Sequence, residues 1–204
     1  SVSVVVSKGP APVAIPSVMG LSESVAQNKL NLIGLVSVVQ QSYSETAPVG
    51  QVISASPSSG TVNVGTKITL TVSKGPAPRQ VPNLVGESSA NAVAQLKALE
   101  LVPSETQAFS DTVPAGNVIS QAQSAGSMVA RGSTVAFVVS KGPQMVVVPN
   151  VIGDTLQQAE AALNQAGLTV GTVYTYFGSS TVVATSPRGG STVKVGSSVA
   201  LVTG

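Results

Sequence analysis

The tetrapeptide Ser-Lys-Gly-Pro occurs at 7–10, at 73–76 and at 140–143, in steps of 66 and 67 residues. Self-similarity at such a period constrains the fold more than any local pattern, because each copy must be one small unit built again along the chain. A second landmark keeps the same step. Pro16, Pro82 and Pro149 are each followed four residues on by a glycine, at Gly20, Gly86 and Gly153. Two landmarks in one register predict a tandem array of one module.

The apolar positions repeat with them. Ala26, Ala92 and Ala159 are followed four residues later by Leu30, Leu96 and Leu163, and then by Leu35, Leu101 and Leu168. The four-residue step puts each Ala/Leu pair on one helix face, which Ile33, Leu99 and Ala166 extend. Ser22, Ser88 and Thr155 are the N-cap candidates, and Gln158 completes a capping box with Thr155. Gly34 and Gly167 suit a left-handed helix end, whereas Glu100 in the second copy predicts a weaker or different stop. Behind each helix come β-branched runs: 35–39, 101–104 and 168–173; then Val52-Ile53, Val118-Ile119 and Val182-Val183; then 67–73, 134–140 and 198–203. Pro57-Ser-Ser-Gly60, Gln123-Ser-Ala-Gly126 and Pro187-Arg-Gly-Gly190 supply the turns between the last two strands.

Each copy therefore reads strand, helix, three strands. The predicted class is α+β, in tandem small modules, each with one helix packed on a small three-stranded sheet behind a short leading strand. Residues 1–10 match the closing strand of the other copies in type, so 1–12 are expected to be the last strand and linker of a preceding repeat in a longer array. Full repeats are expected at 13–76, 79–143 and 146–204. Pro10-Ala-Pro12 and Pro76-Ala-Pro78 favour extended backbone, so stiff spacers and an elongated rod are expected.

Composition narrows the function. Only 18 of 204 residues are charged, with a net charge of +2 and no run of like charges, so no nucleic-acid partner is expected. With no His and no Cys, neither a Ser-His-Asp relay nor thiolate chemistry is available. No catalytic residue, cofactor or metal is expected. No segment reaches the roughly 20 apolar residues of a membrane span, so any membrane attachment is expected from an anchor outside this fragment. Ser-Lys-Gly-Pro has the wrong order and context for a phosphate-binding loop. Its Gly is read as the turn out of the strand and its Lys as a flanking charge.

Val81-Pro82-Asn83-Leu84-Val85-Gly86, Val148-Pro149-Asn150-Val151-Ile152-Gly153, the Ala-x-x-x-Leu pairs, Val-Ile-Ser and the closing Val-Ser-Lys-Gly-Pro together resemble the PASTA repeats of bacterial penicillin-binding proteins and serine/threonine kinases. The resemblance covers essentially the whole chain. It implies the extracellular region of a single-pass membrane serine/threonine kinase that recognises muropeptides or uncrosslinked peptidoglycan, and in some proteins β-lactams, with ligand-linked dimerisation activating the kinase. It leaves two alternatives open: a structural spacer or localisation module without a small ligand, and the C-terminal modules of a penicillin-binding protein.

A muropeptide offers carboxylates, amides and sugar hydroxyls, so its site needs a cation, hydrogen-bonding groups and a ring. The third copy is the candidate. It holds Tyr174, Tyr176 and Phe177, carries Arg188 in its turn, and is three residues shorter where the others read Ser44-Glu-Thr-Ala-Pro-Val-Gly50 and Ser110-Asp-Thr-Val-Pro-Ala-Gly116. Glu160 is added as a partner for a cationic diaminopimelate amine. The plain structural alternatives are aromatic core filler and a solvated turn arginine. Arg79 and Arg131 are read as surface residues, the former in a linker.

Overall fold

The structure is a computed structural model that describes residues 2–4, 9–176 and 178–204. The first repeat contains β1 (Val13–Ala14), α1 (Glu23–Asn31), β2 (Val36–Ser42), β3 (Val52–Ser56), β4 (Thr61–Val62) and β5 (Lys67–Ser73). The second contains β6 (Arg79–Gln80), α2 (Ser89–Ala98), β7 (Val102–Ala108), β8 (Val118–Gln121), β9 (Met128–Val129) and β10 (Thr134–Ser140). The third contains β11 (Met145–Val147), α3 (Leu156–Gln165), β12 (Thr169–Thr175), β13 (Val182–Ser186), β14 (Thr192–Lys194) and β15 (Ser198–Thr203). The α+β tandem architecture is as expected. The strand expected within 1–10 falls largely on positions 1 and 5–8, outside the described residues.

Each three-stranded sheet has the closing strand in the middle, in the orders β2-β5-β3, β7-β10-β8 and β12-β15-β13. The first strand of each order runs parallel to the centre and the last antiparallel to it. The centre goes to the most apolar strand because both its edges are covered there. Its alternate residues, Ile68, Leu70 and Val72 in β5 and Val135, Phe137 and Val139 in β10, are buried. The leading strand does not join this sheet. It pairs with a short strand absent from the sequence reading, as β1-β4, β6-β9 and β11-β14. At two or three residues those strands carry no readable alternation.

Ala26/Leu30, Ala92/Leu96 and Ala159/Leu163 are the buried residues of the three helices. In repeat one they pack with Ile15, Val18, Leu35, Val52, Ile68, Leu70 and Val72, and in repeat three with Val148, Val151, Leu168, Val182, Val199 and Leu201. Burying one such leucine stabilises a module by about 1.5–3 kcal/mol, so a few side chains carry each repeat. The Ser88 hydroxyl accepts from the Asn91 amide, and Thr155 and Gln158 form the expected capping box. Ser22 holds the N-cap position without a side-chain capping bond.

Gly34 and Gly167 are left-handed, at φ 75° and 74°, but so is Glu100, at 58°. The second helix therefore ends in the same way as the others, on a residue that strains to do it. Glu100→Gly is expected to raise the stability of repeat two by about 0.5–1 kcal/mol, the left-handed strain outweighing glycine's entropy loss; a higher thermal midpoint measures it.

In Ser-Lys-Gly-Pro, the serine has a role that its sequence did not disclose. Ser73 and Ser140 are buried. Their hydroxyls donate to the carbonyls of Ala47 (2.9 Å) and Val113 (2.7 Å) and accept from the amides of Gly75 and Gly142 (both 2.9 Å). The lysines are more than flanking charges: Lys74 Nζ sits 5.1 Å from the Tyr43 ring centre and Lys141 Nζ 5.4 Å from that of Phe109.

The chain falls into two compact units, Ser1–Gln80 with Met128–Ser133, and Val81–Ser127 with Thr134–Gly204. The first holds repeat one and the β6-β9 ribbon; the second holds the rest of repeat two and repeat three.

Candidate functional site

The turn after β13 builds an open groove of about 590 Å³ lined by Asn150, Ile152, Val183, Ala184, Thr185, Arg188, Gly189 and Gly190. The turn is held down by the Gly190 amide, which donates to the Val148 carbonyl at 2.8 Å, and by the Val148 amide, which donates to Ser191 at 2.8 Å. Gly189 lies so close to the Pro149-Asn150 backbone that a Cβ there would be 2.9 Å from Asn150 Cα. Only glycine allows that approach.

Position 185 distinguishes repeat three from repeat two at this groove. In repeat two the equivalent Gln121 donates to Pro82 O (3.1 Å) and Gln123 O (2.7 Å) and accepts from the Leu84 amide at 2.7 Å, lacing the strand to the Pro-Asn-Leu segment. Thr185 is too short for that. It is 7% exposed, and its hydroxyl has no hydrogen-bond partner among the described residues. The groove thus combines an exposed guanidinium without a hydrogen-bonding or ionic partner among the described residues, an amide and the apolar side chains of Ile152 and Val183, both about half exposed. Such a surface suits a ligand with a carboxylate at one end and apolar groups beside it.

Of the residues singled out in the sequence, Arg188 lines this groove. Tyr174 and Tyr176 do not. They are 52% and 57% exposed, so they do not fill core either. Tyr174 pairs with Val202, whose other neighbour is Ala184, so β12 and β13 are opposite edges of the sheet. Their backbones are about 10 Å apart, twice the strand spacing. Glu160 is half-buried on α3 and is not among the groove residues. Phe177 lies outside the described residues. Asn150, Thr185 and Gly189 escaped the sequence reading; the one available signal was the second glycine of Arg188-Gly-Gly190.

The other polar constellation corrects the reading of Arg79 and Arg131 as plain surface. Arg79 holds the Glu45 carboxylate with two bonds, Nη1 to Oε1 at 3.1 Å and Nη2 to Oε2 at 2.8 Å. Arg131 Nη1 lies 3.6 Å from Glu45 Oε2, and the Ala77 amide donates to Oε1 at 3.3 Å. The Arg79 hydrogen bonds above all hold the Glu45 carboxyl below its ordinary range; desolvation opposes them, and the Ala77 amide and the positive charges of Arg79 and Arg131 add to the lowering. These contacts tie the loop of repeat one to the β6-β9 ribbon. Ser191 and Lys194 have the spacing of a lysine-activated serine, but Ser191 lies just before β14 and Lys194 ends it, so no helix turn brings the two onto one face.

The profile of the PASTA domain matches residues 13–74, 79–141 and 146–204. The chain belongs to the PASTA domain family. A probable serine/threonine-protein kinase of Clostridium acetobutylicum is 37% identical over 168 residues, covering 80% of this chain and 26% of that protein. The serine/threonine-protein kinase PknB of Mycobacterium leprae is 31% identical over 160 residues, covering 77% of this chain and 26% of that protein. The PASTA repeats thus span about a quarter of the length of these relatives. Among solved structures, the three-PASTA-domain segment of a Staphylococcus aureus Ser/Thr kinase superposes with a TM-score of 0.69 at 25% identity, covering 93% of this chain and 98% of that one. The entire extracellular region of the Ser/Thr kinase PrkC from the same organism gives 0.67 at 25% identity, covering 93% and 69%. The PASTA chain is therefore homologous to the extracellular portion of these kinases. Among its described residues no helix is long and apolar enough to cross a membrane.

Proposed function

We propose that these PASTA repeats, bounded at 13–76, 79–143 and 146–204, form the extracellular sensor of a bacterial serine/threonine kinase and bind peptidoglycan fragments at the Arg188 groove. The observation that carries the reading is that Arg188 and Asn150 line one open groove together with the apolar Ile152 and Val183. The guanidinium pairs with a stem-peptide carboxylate, Asn150 hydrogen-bonds an amide, and Ile152 and Val183 take methyl groups. Occupancy of the third repeat in two chains favours kinase dimerisation by making the liganded pair the more stable state. Titrating a muropeptide into isotope-labelled protein is expected to shift Asn150, Ile152, Val183 to Thr185 and Arg188 to Gly190, and Arg188→Ala is expected to weaken binding about tenfold or more. No shift at these residues would remove the site.

A second reading, a spacer without a small ligand, is favoured by the Glu45 cluster, which ties the loop of repeat one to the β6-β9 ribbon through side chains. In that case Arg188→Ala is silent in the cell, and deleting one repeat alters localisation in proportion to length.

A further inference from the structure

The loop that carries Glu45 in repeat one recurs in repeat two with Asp111 in its place. The two loops are built alike. The amides of Ala47 and Val113 donate to the Ser44 and Ser110 hydroxyls at 3.0 Å in both. The amides of Ser44 and Ser110 donate to the carbonyls of Gly75 and Gly142 at 2.9 Å in both. Each loop also has its aromatic under a lysine. The carboxylates are therefore presented in the same frame, and what surrounds Glu45 shows what that frame receives: two guanidinium groups.

At Asp111 those groups are missing from the sequence. Strand register equates Arg79 with Val146, since Arg79 pairs with Val129 and Val146 with Val193, and Gly132 and Gly196 equate Arg131 with Val195. Among the described residues Asp111 has neither an ion pair nor a side-chain hydrogen bond; in place of the arginines there is a cleft of about 180 Å³ lined by Phe109, Ser110, Asp111, Gln144 and Val195. Phe109 is half-exposed and offers a ring face, and the Gln144 side-chain oxygen offers an acceptor. Lys141 beside Phe109 does not close the cleft to a cation, because Lys74 stands in the same relation to Tyr43 while Glu45 holds both arginines.

We propose that the Asp111 cleft is a binding site for an arginine side chain supplied by a partner polypeptide, the guanidinium taking the place that Arg79 and Arg131 fill at Glu45. The site is independent of the Arg188 groove and of its ligand.

The full chain, isotope-labelled, is titrated with Nα-acetyl-arginine amide, Nα-acetyl-lysine amide, Nα-acetyl-norleucine amide and a diaminopimelate-containing muropeptide. The arginine probe is expected to give saturable amide shifts at 109–111, 144 and 195, with a dissociation constant on the order of 10 mM, as befits one exposed charged contact. The lysine probe is expected at least threefold weaker and the norleucine probe silent. Asp111→Asn, an exposed change, is expected to weaken the arginine probe at least threefold with the rest of the spectrum unchanged. V146R/V195R is expected to abolish its binding by filling the cleft from within. Shifts spread away from the cleft, an Asp111→Asn variant that binds equally well, or preference for lysine, norleucine or the muropeptide would each overturn the assignment.

Discussion

Leu163→Ala is expected to unfold repeat three while repeat one keeps its full protection against hydrogen exchange. Leu163 is completely buried, and it packs with Val148, Val151, Ala159, Leu168, Val182, Val199 and Leu201, a cluster confined to its own repeat. Removing its branched end leaves a cavity costing about 2–5 kcal/mol. A module of this size holds only about 3–9 kcal/mol in total. No aromatic residue of the described core of repeat three is present to take up the space. Amide exchange followed residue by residue separates this outcome from its opposite, a uniform loss across the chain, which would mean that the repeats share their stability rather than each carrying its own.

Thr203→Val is expected to have the opposite sign, raising the stability of repeat three by about 1–3 kcal/mol, the cost of burying an unmatched hydroxyl. Thr203 is 1% exposed, and its Oγ1 has no hydrogen-bond partner among the described residues. The equivalent positions of the other repeats are Val72 and Val139, both buried and apolar. The substitution keeps the branched shape and removes only the polar atom, so no cavity opposes the gain. The midpoint of urea unfolding for repeat three is the measurement; an unchanged or lower value would mean that the hydroxyl finds a partner in solution.

The helices were legible because their signals are local. Ala26 to Leu30, the Thr155/Gln158 box and Gly34 each depend on residues within one or two turns, where sequence spacing and spatial distance coincide. Glu100 reads as a weaker or different stop because residue type alone does not disclose the backbone conformation it adopts. In the structure the helix packing of Leu96 and Leu101 forces the same left-handed turn on a residue that resists it. The ribbons β1-β4, β6-β9 and β11-β14 were missed because strands of two or three residues have no period to read.

The candidate site divides along the same line. Arg188 was legible as the charged member of an unusual turn. Tyr174 shares with it the repeat that departs from the others, but the order β12-β15-β13 sends them to opposite edges. Asn150 reaches the groove from nearly forty residues upstream, and the loss of Gln121's lacing at Thr185 registers only when the repeats are superposed. Arg79 and Arg131 read as isolated charges because their shared partner, Glu45, belongs to the preceding repeat.

The sequence by itself determined that this is an array of one α+β module, where each helix starts and which face it buries, since periodicity and capping are encoded within a few residues. Which residues come together was decided only by the tertiary structure: Arg188 and Asn150 on one groove, Glu45 with two arginines, Asp111 with a cleft where the corresponding arginines are valines. Those meetings depend on strand order and on contacts between elements distant along the chain, and the physics of local spacing does not reach that far.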